Sequence, residues 1–412
     1  MFTKTNLKIS LTHLSSRKKQ TLIAMLSVTF GVSMYIFMNS FMGGVNKAQT
    51  EMSFTSLAHI RIFNDIDTEV KPLIKQNDNL LINLRNAKAI QYTEGITNVD
   101  QLTNKLKNYP KLSCYTTQVN LSGTFRNGSI KQTGTLSGVD VINEDKLFNM
   151  KEYITEGNWD ELSISNTHII LGKGLAKKLS LQINNNVTII TSDNISKNYK
   201  IVGIIETGSP NVDDSKAYIR KSSALQLVSK NKSYATDIQI NISDYNNALE
   251  IAKPLKKITK YKVESWQEGN KQLVSANSLR NIIAVAVSLV IIIVAGFGIY
   301  NIMNMTVTEK IKEIAILKAI GFDGNDVIGI FLSQTIIIGI LGGTTGVLLG
   351  FIIAKLTSKV PFKMMTLKTL PITFEVSDYI FAFWVGFIIT IIAGYLPARK
   401  ASKVDPIEII RG

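Results

Sequence analysis

The amino-acid sequence predicts a membrane protein: four transmembrane α-helices with a large α+β extracytoplasmic domain inserted between helices 1 and 2. Three observations carry that expectation. Of the 412 residues 45% are apolar and only 19% charged, too apolar a balance for a disordered or purely nucleic-acid-binding chain despite a formal charge of +15. The apolar residues gather into four long uncharged runs, 21–45, 281–308, 327–354 and 379–397. Between the first two runs, residues 46–280 switch to short alternating segments punctuated by turn residues.

In chain order, residues 1–20 carry Lys4, Lys8, Arg17, Lys18 and Lys19 with no acid, and Leu7, Leu11 and Leu14 fall along one side. This pattern predicts a cytoplasmic amphipathic helix lying on the membrane surface. The run 21–45 is long enough, at about 1.5 Å per residue, to cross a hydrocarbon core of about 30 Å with some tilt. A cleaved signal peptide has a shorter apolar region and a small-residue cleavage site, so a retained anchor is expected. Met34, Phe37, Met38 and Phe41 recur at i, i+3, i+4 and i+7 and share one face. Two readings stay open for them: lipid contact or ordinary packing, or a soft apolar wall for a lipidic substrate.

Within 46–280, strands are expected at 59–63, 119–125, 186–190, 199–205 and 237–242, and helices at 100–107, 173–179, 221–229 and 246–257. Segments 53–58 and 266–279 read as stalks joining this domain to the first and second spans. The second span, 281–308, leads into a loop, 309–326. There Ile311, Ile314 and Leu317 recur at helical spacing, Glu309, Lys310, Lys312 and Glu313 crowd the first turn, and Gly321 suits a C-cap. This short helix reads either as a solvated connector or, its apolar face lacking an evident partner in the chain, as a docking peg for a cytosolic protein. The third span, 327–354, holds Gly339, Gly342, Gly343, Gly346 and Gly350 in overlapping small-xxx-small pairs. In lipid such pairs allow close backbone approach, either within one chain or at a dimer contact. A short loop, 355–378, the fourth span, 379–397, and a tail, 398–412, complete the chain.

Lysine and arginine in the short flanks set the expected direction. Besides the five in 1–20, residues 306–325 hold Lys310, Lys312 and Lys318, and 398–412 hold Arg399, Lys400, Lys403 and Arg411. The opposing loop 355–378 holds Lys355, Lys359, Lys363 and Lys368, which weakens the asymmetry without reversing it. Both termini are therefore expected in the cytoplasm, with 46–280 outside.

Several chemistries are excluded. A single cysteine, Cys114, allows no disulfide within the chain and no thiolate metal cluster. His13, His59 and His168 lie far apart, and neither a P-loop nor a G-x-S-x-G elbow is present. The turn Leu171-Gly172-Lys173-Gly174 has the wrong spacing for phosphate and reads as a strand-to-helix junction. No Asp, Glu, Lys or Arg falls inside a span, which argues against a proton- or ion-coupled carrier. No catalytic residue, metal site or cofactor is expected in the chain, and energy must come from elsewhere.

Taken together the segments resemble the permeases of lipoprotein-releasing (LolC/LolE-type) and MacB-type ABC transporters, the FtsX-like family. The likeness runs over nearly the whole length. Segment 309–321 (EKIKEIAILKAIG) looks like the family's coupling element, and 394–406 (GYLPARKASKVDP) is similar to its closing signature. Segments 138–140 (GVD), 170–176 (ILGKGLA) and 202–208 (VGIIETG) are closer to the lipoprotein-releasing branch. The resemblance implies a second permease copy or a paralogue, and two separate ATPase subunits that carry ATP and Mg. Those subunits would engage Glu309, Lys312, Glu313, Ile314, Leu317 and Lys318, residues 1–20 leaving no room for an ATPase in the same chain. It also implies lipoprotein or other amphipathic cargo whose acyl chains meet Met34, Phe37, Met38 and Phe41, with nucleic acid playing no part. Family members that recruit a periplasmic carrier do so with an extended hook loop. The corresponding connector between Thr191 and Asn198 is short, so a carrier is not expected to dock directly here. Two alternatives remain: a MacB-like exporter of peptides, toxins or drugs, and a non-transport membrane sensor or regulator.

Overall fold

The computed structural model of the chain describes residues 4–65, 95–107, 109, 111–364 and 367–411. Residues 66–94 of the expected inserted domain thus lie outside the described residues. Two compact units emerge, Met1–Gln49 with Ser275–Gly412, and Thr50–Val274. The chain opens with α1 (Lys4–Ser16) and, after Arg17 alone, α2 (Lys18–Ser53). Residues 46–53 contain neither glycine nor proline, so nothing breaks the helix where the apolar run ends, and it continues into the expected stalk.

The inserted unit continues with β1 (Ile60–Phe63), β2 (Ile96–Thr97), α3 (Val99–Lys107), β3 (Leu112–Asn127), β4 (Ile130–Val139), α4 (Val141–Phe148) and β5 (Ile154–Gly157). There follow β6 (His168–Gly172), α5 (Lys173–Lys178), β7 (Asn186–Thr191), β8 (Ser196–Ile205), α6 (Pro210–Asp213), β9 (Lys216–Arg220) and α7 (Lys221–Leu227). Then come β10 (Tyr234–Ala235), β11 (Asp237–Ile242), α8 (Ala248–Ile258), β12 (Lys262–Ser265) and α9 (Trp266–Gly269). A ten-stranded mixed sheet runs in the order β12-β1-β11-β3-β4-β9-β6-β8-β5, with β7 pairing β3 and β8.

Strand β3, sixteen residues long, joins the two halves of this sheet. Its first part pairs β11 up to Gln118, and from Val119 it pairs β4. One half buries Ile60, Ile62, Ile238 and Ile240 with Leu102, Leu106 and Leu255 of α3 and α8. The other buries Phe125, Leu136, Leu171, Ile189, Tyr199 and Ile219. Where the halves meet, α4 lays Glu144 against β3. Only 1% of the residue is exposed, and its carboxylate accepts hydrogen bonds from Thr116 and Gln118, neighbours on one face of the strand. Gln239 of β11 continues the network to Gln118 at 2.7 Å, and Asn120 and Arg61 bond Asp237. Burial pushes the Glu144 carboxyl up to about 7, opposed by the charge of Lys216 and by the two hydrogen bonds. The Gly172–Gly174 turn is a strand-to-helix junction packed against Asp213 and Asp214, whose atoms leave no room for a side chain at either glycine.

The membrane unit resumes with α10 (Lys271–Glu309), α11 (Ile311–Ala319), α12 (Gly324–Thr357), β13 (Pro361–Met364), β14 (Leu367–Thr369), α13 (Val376–Ser402) and α14 (Pro406–Arg411). Helices α2, α10, α12 and α13 are each long and apolar enough to cross a membrane. Beyond the apolar runs, Arg280 of α10 bonds Asn46 and Gln49 of α2, and Asn46 bonds Asn281 at 2.7 Å.

The five glycines of the small-xxx-small pairs divide between two faces of α12. A Cβ at Gly342, Gly346 or Gly350 would stand 2.7, 2.8 or 3.0 Å from Val28, Val32 or Ile36 of α2. Matching four-residue steps mean that α2 and α12 run parallel, with backbones close enough that only glycine fits opposite these branched side chains. Gly339 and Gly343 instead receive the rings of Phe387 and Phe383 from α13. All five therefore pack against helices of the same chain.

Candidate functional site

Helix α11 follows the end of α10 after a single residue, Lys310, and ends at Gly321, whose φ of +105° suits glycine. Its apolar face is partnered within the chain, which corrects the expectation that it lacks one. Ile314 and Ala315 are buried, Ile314 in the same cluster as Val307, Ala398 and Ala401. Lys318 donates to the carbonyls of Ser402 and Val404, at 3.0 and 2.7 Å, where α13 ends. An ammonium group satisfies two terminal carbonyls and meets the negative end of the helix dipole there. Leu317 is half-buried. Lys312 and Glu313 are exposed, and so are two isoleucines that the spacing argument passed over: Ile316 at 55% and Ile320 at 70%.

Charged residues of the same segment hold α1. Arg17 pairs with Glu309, which also accepts from Gln20. His13 stands 3.6 Å from Glu313 and 3.0 Å from the Gln334 amide of α12. Burial lowers the pKa of His13, with Lys310 adding to the effect and Glu313 opposing it, so the ring is neutral at pH 7 and its approach to Glu313 is no full ion pair. Ser10 donates to the carbonyl of Ile330 at 2.7 Å, and Asn6 is buried. Helix α1 therefore docks its polar face along α12 and leaves Leu7 and Leu11 exposed. The amphipathic pattern of α1 announces an apolar side, and what it does not announce is that the polar side finds buried hydrogen-bonding partners on α12.

Replacing Lys318 by methionine should free the end of α13. Amide exchange of residues 402–409 is expected to speed up at least tenfold, and Lys318→Arg should largely restore protection, since even one charge-assisted hydrogen bond is worth about 1.5–3 kcal/mol. Unchanged exchange would mean that Lys318 braces nothing.

On α2, Met34, Phe37, Met38 and Phe41 are all half-buried, and Phe37 stacks on Phe41 with centroids 6.1 Å apart. They flank the fully packed stripe of Val28, Val32 and Ile36. In the inserted unit, the connector between Thr191 and Asn198 is a hairpin: Ile190 pairs Ser196 and Thr188 pairs Asn198, so only 192–195 turn. Among the described residues no group of three His, Cys, Asp or Glu could hold a metal ion.

Four helices fit to cross a membrane, an α+β domain inserted after the first and a short helix between the second and third define a multi-pass membrane protein. Comparison with known proteins agrees. The model of the MacB-like periplasmic core domain matches residues 21–258, and that of the FtsX-like permease C-terminal region matches 285–406. An uncharacterized ABC transporter permease of Methanocaldococcus jannaschii is 28% identical over 63% of this chain and 65% of its own length. The lipoprotein-releasing system transmembrane protein LolC of Neisseria meningitidis is 26% identical over 67% of this chain and 72% of its own. The macrolide export ATP-binding/permease protein MacB of a Shewanella species is 24% identical over 74% of this chain and 47% of its own. The chain belongs to the LolC/MacB-type, FtsX-like family of ABC transporter permeases.

Proposed function

We propose that this chain is the permease subunit of an ATP-driven transporter that extracts lipoproteins from the inner membrane for transfer toward the outer membrane. Force comes from a separate ATPase carrying ATP and Mg, and a second copy or a paralogue completes the membrane part. Both termini and α11 face the cytoplasm, and the inserted domain faces the periplasm. The observation that carries the reading is the construction of α11. One side is locked to the spans by Ile314, Ala315 and Lys318, while Ile316 and Ile320 stand in solvent beside Lys312 and Glu313. A helix rigidly tied to the membrane bundle, with unpartnered apolar side chains next to charges, suits docking of a protein that must push on that bundle.

The expected docking set thus shifts within the segment. Lys312, Glu313, Ile316 and Ile320 touch the ATPase, Leu317 forms the edge, and Ile314, Lys318 and Glu309 hold the helix in place. Cargo chains meet Met34, Phe37, Met38 and Phe41. The double substitution Ile316→Asp/Ile320→Asp should reduce, at least tenfold, the ATP-binding subunit that co-purifies with the full chain from its native membrane, with the chain itself still inserted. Equal recovery, or no ATPase with the unsubstituted chain, would overturn the assignment.

The four-residue turn between β7 and β8 favours a second reading, a MacB-like exporter of periplasmic peptides, toxins or drugs, since it offers no arm to a soluble carrier. A photocrosslinker at Phe37 separates the two: lipidated protein in the adduct supports lipoprotein extraction, and unlipidated peptide or drug supports export.

A further inference from the structure

On an exposed side of α12 and α13, close to the ends joined by 358–375, lies an open groove of about 480 Å³. Val347 and Leu348 form one wall, and Tyr379, Ile380, Phe383 and Trp384 the other. Its depth has a sequence cause. Phe383 lies against Gly343, where a Cβ would stand 2.9 Å from the ring, so the missing side chain lets the ring sink and the floor recede. Thr344, also at the groove, spends its hydroxyl on the carbonyls of Ile340 and Leu341 and leaves the lining apolar. The side chains around the groove are widely open: Leu348 is 62% exposed and Trp384 54%.

Lys355 of α12 stands at the mouth, at the same end as Glu375 and Asp378 at the start of α13. Thr344, Leu348, Phe351 and Lys355 recur at four, three and four residues and so form one stripe of α12. Lys355 lies about 10 Å beyond Leu348 along the axis, two helical turns. Its ammonium sits over the ring of Phe351, 5.7 Å from the centroid, and Phe351 in turn meets the groove residue Tyr379 with centroids 6.3 Å apart. Lys359, exposed, follows just past the helix end. These are two of the four lysines of 355–378 that run against the charge asymmetry of the flanks, and topology gives no reason for them.

We propose that this groove is a binding site for one glycerophospholipid, an acyl chain lying along Leu348, Ile380, Phe383 and Trp384 and the phosphate held by Lys355. The position of the groove identifies the occupant. Its walls belong to two membrane-spanning helices, so the surrounding medium is acyl chain, and a fixed ammonium two turns beyond the apolar trough matches a molecule whose single anionic group caps a hydrocarbon tail. Tyr379, at the mouth end of the groove, is a residue type that sits at headgroup level.

The test uses the full chain, purified in mild detergent and offered dioleoyl phosphatidylglycerol, dioleoyl phosphatidylcholine or dioleoylglycerol, with bound lipid counted by native mass spectrometry. The first two should each be retained at one per chain through detergent washing, and the phosphate-free third at least fivefold less. Lys355→Gln should lower retention of both phospholipids about fivefold, the effect of one basic residue at an anionic surface. Leu348→Trp, which fills the trough without touching Lys355, should lower it further while the chain keeps its helicity and elution volume. Equal retention of dioleoylglycerol, indifference to Lys355→Gln, or capture of a second protein copy by a photocrosslinker at Leu348 would each overturn the proposal.

Discussion

Replacing Glu144 by glutamine is expected to remove most of a pH dependence from the stability of the inserted domain. In the folded chain burial holds this carboxyl near 7, against about 4.5 when the chain is open. A raised folded-state value means that the group contributes its full stability below the unfolded value and loses it as pH rises through the folded one. Between about 4.5 and 7 the folded state keeps a proton that the unfolded state has released, so unfolding free energy falls by up to about 1.4 kcal/mol per pH unit. The neutral amide has no such proton to lose. Amide exchange of α4 and β3 in the full chain, corrected for intrinsic rate, should accelerate from pH 5 to pH 8 in the unsubstituted protein and stay nearly level in Glu144→Gln. The variant should be the better protected of the two at pH 8. The same slope in both chains would refute the account, because the substitution removes the one carboxyl whose folded-state value is raised to about 7.

The second large effect is expected in the membrane. Gly346→Leu places a side chain where even a Cβ would stand 2.8 Å from Val32 and 3.0 Å from the backbone oxygen of Thr29. Backbone cannot rotate away as a side-chain tip can, so α2 must lift off α12, and the neighbouring hydrogen bond from Thr29 to the Gly342 carbonyl, 3.1 Å, goes with it. Overpacking of this kind costs about 1–3 kcal/mol and often more where backbone is displaced. Thermal unfolding of the purified full chain should show a fall of many degrees, or no folded material at all. Gly346→Ala should fall less, and Val32→Gly should partly rescue it, because the nearest clash is with the Cβ of the valine, which only glycine removes. Additivity of the two substitutions would mean that the helices do not meet at this point.

The four spans were legible because a membrane helix needs about 20 uncharged residues, a signal no other structure mimics. Helix ends were not legible to the same degree: α2 continues to Ser53 and α10 begins at Lys271, since polar residues with good helix propensity extend a helix once it is nucleated. Strand β4 escaped the periodicity argument. Its residues Lys131, Gln132, Thr133 and Thr135 do not alternate with apolar ones, and it forms because the two-residue turn Gly128-Ser129, with Gly128 at φ +56°, brings it back onto β3. Strand β9 is short and pairs β4 in parallel, so its neighbour is remote in sequence.

At the candidate site the heptad-like spacing of Ile311, Ile314 and Leu317 identified the helix and misassigned its faces. Hydrophobic periodicity reports that a face is buried without saying what buries it. Here the cover is the end of α13 and the buried cluster of the spans, over 80 residues away in sequence. Lys318, expected to engage the ATPase, bonds the end of α13, and no local pattern announces that two orphan carbonyls will arrive beside it.

By itself the sequence determined that the chain crosses a membrane four times, that an α+β domain sits between the first two crossings, and that a short amphipathic helix lies between the next two. Each follows from composition over a long window, where the free energy of burying apolar surface outweighs local detail. Only the tertiary structure decided which glycines face α2 and which α13, which isoleucines of α11 stay in solvent, and that Glu144 is buried among hydrogen bonds. Those outcomes depend on contacts between residues distant in sequence, and the close packing that selects one arrangement acts over a few ångströms that no one-dimensional pattern records.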